Sequence, residues 1–208
     1  EFYHYYIDRP LSKGTDIRDI VKTNNLKKAY MRLLKFISNP ILEIEFVREI
    51  NSELADKIEQ EEDGAKIDSV ISRARELALS GEKVLIWSSF IANVRTITRR
   101  LGPEFGAECI IGEVKTEDGE QDEDWNWHEL ETREAIIKRF KESDSTRILV
   151  ANPAAAAESM SLHNVCSNAL YLDRTYNAGQ FLQSQKRIHR LTEGEDLQKT
   201  IEIFSLNV

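Results

Sequence analysis

Glutamine and arginine side chains recur at helical spacing near the carboxyl-terminal end of the chain. Gln183, Arg187 and Arg190 are separated by four and three residues, so a helix would place them along one face. Phe181 and Ile188 fall on roughly the opposite side, where they could anchor that helix to a core. Two permanently charged guanidinium groups on one rigid face predict a clamp for phosphate oxygens.

Several familiar catalytic and binding motifs do not occur in the sequence. There is no G-x-x-x-x-G-K-[ST] phosphate loop and no G-x-G-x-x-G, so we do not expect the chain to hold a nucleotide tightly by itself. No G-x-S-x-G nucleophile elbow is present. The histidines are scattered, and His163 with Cys166 lacks a second ligand pair nearby, so no metal site is expected.

The composition is that of a soluble intracellular domain. The 208 residues suffice for one sizeable core with helical additions, and the net charge of −8 means that any contact with nucleic acid must be local. Cys109 and Cys166 show no paired spacing, which favours a reducing compartment such as the cytoplasm or nucleus. No signal-peptide pattern or membrane-length apolar run is present, so we expect no membrane association.

Short apolar runs alternate with helical patterns in most of the chain. Apolar stripes interrupted at Asn39-Pro40 predict a helical extension over residues 1–64. From residue 65 to 208, strand candidates at 84–87, 109–111, 147–151, 169–172 and 200–204 are separated by helices, the last at 178–191. This pattern predicts an α/β domain whose mostly parallel sheet is sandwiched by helices, with ligands at the carboxyl ends of the strands.

An acidic insert occupies residues 113–131. It contains nine acidic residues, with Trp125 and Trp127 among them and Lys115 the only basic residue. Such a run is typical of a solvated surface loop. The alternative is a docking or self-regulatory loop that uses the two tryptophans to anchor a protein partner.

Four segments carry a resemblance to a known family. They are K-V-L-I-W-S-S-F at 83–90, R-E-A-I-I-K-R-F at 133–140, A-A-A-E-S-M-S-L at 155–162, and Q-x-x-x-R-x-H-R at 183–190. These segments resemble motif IV, the helix before motif V, motif V and motif VI of the second RecA-like lobe of superfamily-2 helicases and translocases. The similarity is strongest to the SWI/SNF-related branch, and residues 33–42 are similar to the segment that enters this lobe.

The resemblance implies roles in ATP hydrolysis for motifs V and VI. Arg187 and Arg190 would be arginine fingers that reach the phosphates of ATP, held with Mg²⁺ mainly by a first RecA-like lobe. Gln183 would position or sense the phosphates, and Glu158 and Ser159 of motif V would lie at the nucleotide.

The resemblance also implies contacts with a nucleic-acid backbone. Ser88 and Ser89, with free amides at a helix start, would hold a phosphate, and Arg95, Arg99 and Asn152 would assist. The alternative is a plain N-cap followed by a solvated helix face. Double-stranded DNA is the favoured nucleic acid.

The chain departs from the family pattern in two places. Alanines and serines with Glu158 stand where motif V usually has glycines and an asparagine, and glycine is what lets a backbone approach a phosphate closely. Thr192-Glu193 replaces the usual Gly-Gln after motif VI. Both changes predict altered coupling or a divergent lobe.

The leading expectation is therefore the C-terminal motor lobe of an ATP-dependent DNA helicase or translocase, inactive without its first lobe. One alternative is a non-catalytic RecA-like module for protein interaction or regulation, which the altered motif V would favour. A second is an accessory DNA-binding domain, which the net charge of −8 disfavours.

Overall fold

The computed structural model describes residues 20–112, 132–156, 160–174, 177–188 and 199–205, with side chains from residue 26 onward. Some of the residues for which predictions were made lie outside these ranges: the acidic insert, Glu158, Ser159 and Arg190. The chain divides into two compact units, Glu1–Asp63 and Gly64–Val208. The functional roles predicted for the two parts stay predictions.

The first unit is helical in the part that the structure describes. It contains α1 (Ile20–Ser38), a 3₁₀ turn (Pro40–Glu43), α2 (Ile44–Ile50) and α3 (Ser52–Glu61). The predicted break falls at Asn39, whose side chain accepts a hydrogen bond from the Ile41 amide. Asn51 caps α3 by accepting from the Leu54 amide at 3.0 Å, which satisfies one of the unpaired amides at that helix start.

The second unit is a parallel sheet covered by helices. Its elements are α4 (Ala65–Leu79), β1 (Val84–Trp87), α5 (Ile91–Phe105), β2 (Glu108–Ile110), α6 (Arg133–Glu142), β3 (Ile148–Ala151), α7 (Pro153–Ala156), β4 (Asn168–Tyr171), α8 (Ala178–Gln185) and β5 (Thr200–Ile203). The five described strands pair in the order β2-β3-β1-β4-β5, all in parallel. The predicted α/β fold is confirmed, and each predicted strand lies within one residue of an observed one.

Successive side chains of β1 point to opposite faces of the sheet, which explains how one sheet supports two hydrophobic cores. Val84 and Ile86 belong to a cluster with the apolar residues of α4 and α5, whereas Leu85 and Trp87 belong to a second cluster with those of α6. All four are at most 1% exposed, as expected for a central strand buried on both faces. The carboxyl end of this rigid strand is therefore a firm base for the loop that follows it.

Gly106 ends α5 in the left-handed region, with φ of +58°. A Cβ atom at this position would also collide with the Ser145 carbonyl oxygen. Only glycine avoids both penalties, so the residue fixes the turn into β2.

In the described part of the chain, no helix is both long and apolar enough to cross a membrane.

Candidate nucleotide and nucleic-acid site

The loops predicted to do chemistry meet at one edge of the sheet. Because all described strands are parallel, Ser88 after β1, Asn152 after β3 and Asp173 after β4 lie at their carboxyl ends. The register pairs Trp87 with both Ala151 and Tyr171, so these three loops begin at the same level. This is the edge at which open α/β sheets place their ligands.

Asp173 joins the β1 and β4 loops through its carboxylate. Ser88 Oγ donates to Asp173 Oδ2 and the Ser89 amide donates to Asp173 Oδ1, both at 2.7 Å. Hydrogen bonds to a charged acceptor contribute roughly 1.5–3 kcal/mol each. The conformation of the Ser88-Ser89 loop is thus set by a residue 84 positions further along the chain.

The Ser88-Ser89 loop differs from the sequence prediction in two respects. Its amides are not free, because the Ser88 amide donates to the Ala151 carbonyl oxygen and the Ser89 amide to Asp173. Neither serine is the N-cap of α5, since Phe90 occupies that position without a side-chain cap. The physical reason is that the Ala151 carbonyl oxygen and the Asp173 carboxylate take up these two amides before the helix begins.

The hydroxyl of Ser89 has a different environment from that of Ser88. Ser88 is fully buried, whereas Ser89 is half-buried. Ser89 Oγ is itself buried and has no hydrogen-bond partner. An unsatisfied buried hydroxyl is costly, which makes Ser89 Oγ a candidate hydrogen-bonding group of the site.

Asn152 ties the β3 loop to the same network. Its Nδ2 donates to the Ser89 carbonyl oxygen at 2.9 Å, and its Oδ1 accepts from the Ala154 amide at 2.9 Å. The side chain is only 8% exposed. Asn152 therefore positions the Ser88-Ser89 loop, and the contact with nucleic acid predicted for it stays a prediction.

Motif V and motif VI lie against each other. The Leu162 amide donates to the Arg187 carbonyl oxygen at 2.9 Å, and Arg187 Nη1 lies 3.5 Å from the Met160 carbonyl oxygen. Ile188, fully buried, belongs to the same core cluster as Met160 and Leu162. These contacts fix the position of Arg187 relative to the motif V segment.

Four aromatic and polar contacts involve side chains of α8. The hydroxyl groups of Tyr171 and Ser184 are 2.8 Å apart, and Ser184 Oγ also donates to the Phe181 carbonyl oxygen. The Phe181 ring packs edge-on against Tyr171 at 5.1 Å, with the Arg174 guanidinium 5.3 Å from its centroid. Burial raises the pKa of Tyr171 to about 12, so its hydroxyl stays protonated as a donor.

The helix that carries motif VI is shorter than predicted. Regular α-helix ends at Gln185, and the amides of Arg187 and Ile188 bond to the carbonyl oxygens three residues earlier. Such bonds give about three residues per turn instead of 3.6, so Gln183 and Arg187 are not stacked on one α-helical face. The predicted helix over 178–191 is wrong beyond Gln185 as far as Ile188, the last residue described there.

The remaining predicted contact residues are exposed. Gln183 on α8 and both Arg95 and Arg99 on α5 lie at the surface of the second unit. Arg95 lies in the first turns of α5, close to the Ser88-Ser89 loop, and Arg99 is one turn further away.

Lys66 is a charged residue at this edge that the sequence reading passed over. It is 8% exposed, and Asp173 and Arg174 both act on it electrostatically. Burial is the largest effect and lowers its pKa, while Asp173 raises it and Arg174 lowers it further. The available signal was its position four residues before Val70, on the apolar face of α4.

Comparisons with known proteins give matches among solved structures only. No family model matches the chain, and no curated protein matches it significantly. Among the solved structures, the Sulfolobus solfataricus SWI2/SNF2 ATPase C-terminal domain matches with a TM-score of 0.57 and 14% identity over 99% of this chain and 71% of that one. The Sulfolobus solfataricus SWI2/SNF2 ATPase core in complex with dsDNA matches with a TM-score of 0.59 and 15% identity over 99% of this chain.

A third solved structure, the C-terminal part of the Fun30 ATPase domain, matches with a TM-score of 0.50 and 21% identity over 67% of this chain. This chain spans 40% of the Fun30 structure and 36% of the ATPase core structure. At these identities the likeness establishes the fold. The chain has the fold of the solved SWI2/SNF2 ATPase C-terminal domain.

Proposed function

We propose that this chain is the C-terminal motor lobe of an ATP-dependent DNA translocase. ATP with Mg²⁺ would be bound mainly by a first RecA-like lobe, and this lobe would add Arg187 and Arg190. The observation that carries the proposal is the contact of Arg187 with Met160 and Leu162, which joins the segments that resemble motifs V and VI, in a fold shared with SWI2/SNF2 ATPases.

The chemistry of phosphoryl transfer favours arginine in this role. As the γ-phosphoryl group leaves, charge spreads over its equatorial oxygens, and a planar guanidinium can bridge two of them. Gln183, exposed on α8, is proposed to position the same phosphates, and Glu158 and Ser159 of motif V are proposed to bind the nucleotide. Arginine fingers contribute about 10³–10⁵ in turnover in enzymes of this kind.

DNA is the proposed ligand of the Ser88-Ser89 loop and the residues around it. The Ser88-Ser89 loop, Arg95, Arg99 and Asn152 would follow the backbone of one strand. Double-stranded DNA is favoured because a protein of the same fold was solved in complex with dsDNA. Because a DNA motor works in the cytoplasm or nucleus, we propose that location for this protein.

The test is ATP turnover by the full-length protein with double-stranded DNA. Arg187→Ala and Arg190→Ala are each expected to lower turnover about a thousandfold, because the transition-state charge loses its guanidinium. Arg187→Lys should also lose most activity, because an ammonium group cannot bridge two oxygens. Phosphate release at saturating ATP and DNA measures the effect.

The control is Arg75→Ala, which removes an exposed ion pair with Glu104 on the same unit. Exposed pairs contribute about 0–1 kcal/mol, so this variant should retain wild-type turnover. Wild-type turnover in both Arg187→Ala and Arg190→Ala would refute the finger assignment.

The second candidate is a non-catalytic RecA-like module for protein interaction or regulation. It is favoured by the contact between the Arg187 guanidinium and the Met160 carbonyl oxygen, since an arginine used inside the lobe has less need of a nucleotide. The gene upstream distinguishes the two: a phosphate loop followed by a D-E-x-x motif supports the motor, and absence of both supports the module.

A further inference from the structure

Ser184 is a buried serine at the end of α8. It is 4% exposed and stands one residue before the regular α-helix ends at Gln185. Its Oγ donates to the Phe181 carbonyl oxygen at 2.7 Å, three residues earlier in the same helix. A serine hydroxyl that bonds back to such a carbonyl oxygen weakens and bends a helix. Ser184 therefore favours the end of the α-helix at this point.

Tyr171 completes the hydrogen bonds of the Ser184 hydroxyl. The two hydroxyl oxygens are 2.8 Å apart. A hydroxyl has one proton to donate, and Ser184 donates its own to Phe181, so Tyr171 is the donor to Ser184 Oγ. Tyr171 is 1% exposed, ends β4 and stacks on Trp87 with ring centroids 6.3 Å apart. The Ser184 hydroxyl is thus held by a residue that is fixed in the sheet.

The main chain of Ser184 leads into the turn that contains Arg187. The Ser184 carbonyl oxygen accepts from the Arg187 amide at 3.2 Å, whereas a continued α-helix would use the carbonyl oxygen of Gln183. Two residues in 3₁₀ geometry place Arg187 about 1 Å further along the helix axis and about 40° around it. A misplacement of about 1 Å can cost about 100-fold in rate for a catalytic group.

We propose that Tyr171 and Ser184 are positioning residues for Arg187. Tyr171 holds the Ser184 hydroxyl to the sheet, the hydroxyl ends the α-helix, and the turn that follows sets where the Arg187 guanidinium lies. The inference rests on the proposed function and deepens it, because both residues act through the proposed arginine finger and neither is part of the ATP site.

The first test is ATP turnover by full-length protein carrying Ser184→Ala, with saturating double-stranded DNA. Without the hydroxyl the α-helix can continue and Arg187 moves, so kcat should fall about tenfold to 100-fold. The KM for ATP should change less than about twofold, because an arginine finger acts in the transition state. A wild-type kcat in Ser184→Ala, or a raised KM with an unchanged kcat, would overturn the proposal.

Ser69→Ala is the matched control for this substitution. Ser69 lies on α4 in the same unit, and its Oγ donates to the Ala65 carbonyl oxygen at 2.7 Å. The substitution therefore removes the same kind of bond from a helix that does not lead into Arg187, and kcat should stay at the wild-type value. Equal losses of kcat in the Ser69 and Ser184 variants would contradict a role through Arg187.

A double-mutant cycle tests whether Ser184 acts through Arg187. In full-length protein carrying Arg187→Ala there is no guanidinium to position, so adding Ser184→Ala should lower the single-turnover rate by less than about twofold. Losses that multiply in the double variant would show that Ser184 acts through another group, which would refute the proposal.

Thermal unfolding of the same full-length variants separates positioning from a merely structural role. Ser184→Ala leaves the buried Tyr171 hydroxyl without its acceptor and should lower the Tm by about 4 °C. Tyr171→Phe combined with Ser184→Ala removes both polar groups and should recover most of that Tm, while kcat stays low because the Ser184 hydroxyl is still missing. Recovery of kcat together with the Tm would mean that the pair only supports the fold, contrary to the proposal.

The crystal structure of the Ser184→Ala protein gives a readout that does not depend on activity. The Arg187 amide should there bond to the Gln183 carbonyl oxygen, as in a continued α-helix. An unchanged bond to the residue 184 carbonyl oxygen would show that the hydroxyl does not set the turn, and the proposal would fail.

Failure of the pair and failure of the proposed function look different. Wild-type turnover in Arg187→Ala would refute the finger and, with it, the role of the pair. A thousandfold loss in Arg187→Ala with an unchanged kcat in Ser184→Ala would refute the pair alone and leave the motor standing.

Discussion

Asp173 organises the candidate site although it need not touch a ligand. Its two oxygens take up the donors of Ser88 and Ser89, and its charge acts on Lys66. One carboxylate therefore shapes a loop and sets the local electrostatic balance. At the scale of single residues, the site depends as much on such a positioning group as on the arginines that the motifs single out.

The two cysteines differ in their burial and therefore in their expected reactivity. Cys166 is fully buried, and burial raises its pKa to about 12, whereas Cys109 is half-buried. Because the thiolate is the reactive form, iodoacetamide near neutral pH should modify Cys166 at least about 100-fold more slowly than Cys109 in the folded chain. Mass spectrometry of digested samples measures both rates.

The matched measurement is the same reaction in denaturant, where the two thiols should react at similar rates. Equal rates in the folded chain would show that the core around Cys166 opens readily.

At the scale of elements, the residues at helix ends fix the turns into the strands. Gly106 is the clearest case, since its left-handed backbone and the nearby Ser145 carbonyl oxygen exclude a side chain. Gly106→Ala is expected to lower the free energy of unfolding by about 2 kcal/mol, with about 1–2 kcal/mol from the backbone alone. Urea unfolding of the chain measures the change.

Gly112→Ala is the matched control, because a Cβ atom there meets nothing within 4 Å. It should change the free energy of unfolding by no more than about 0.5 kcal/mol. Equal effects of the two substitutions would show that the turn at Gly106 is not constrained as described.

Sequence reading succeeded for elements and failed for contacts between distant residues. The apolar runs of β1 and β3 are unambiguous, so the strands and the α/β fold could be predicted. The hydrogen bond that the Ser89 amide donates to Asp173 joins residues 84 positions apart in the sequence. No local sequence pattern reveals such a contact.

Two other errors have local causes. A spacing of three residues, such as that of Arg187 and Arg190, keeps side chains on one face of both α and 3₁₀ helices, so the end of α8 at Gln185 was not predictable from it. Lys66 was passed over because a lysine in a helix is ordinarily solvated, and only its shared face with Val70 and Ala74 signalled burial.

At the scale of the whole molecule, charge and composition limit what the chain can do alone. The sequence contains no phosphate loop, and its net charge is −8. The 208-residue chain by itself is therefore expected to release phosphate from ATP no faster than buffer, with or without DNA. Full-length protein with DNA, measured in parallel, is the positive control.

A cooperative thermal transition, followed by circular dichroism, must accompany that measurement to show that the isolated chain is folded. ATP turnover by the folded chain alone would contradict the division of labour between two lobes.

The parallel sheet has a practical consequence for attaching probes. Ser88, Asn152 and Asp173 follow the carboxyl ends of the strands, whereas Ser80 and Glu82 precede β1 at the opposite edge and are exposed. A four-residue strand separates the two edges by about 13 Å. A fluorophore or surface linkage at Ser80 would therefore leave the Ser88-Ser89 loop unobstructed, and single molecules could be immobilised in a known orientation.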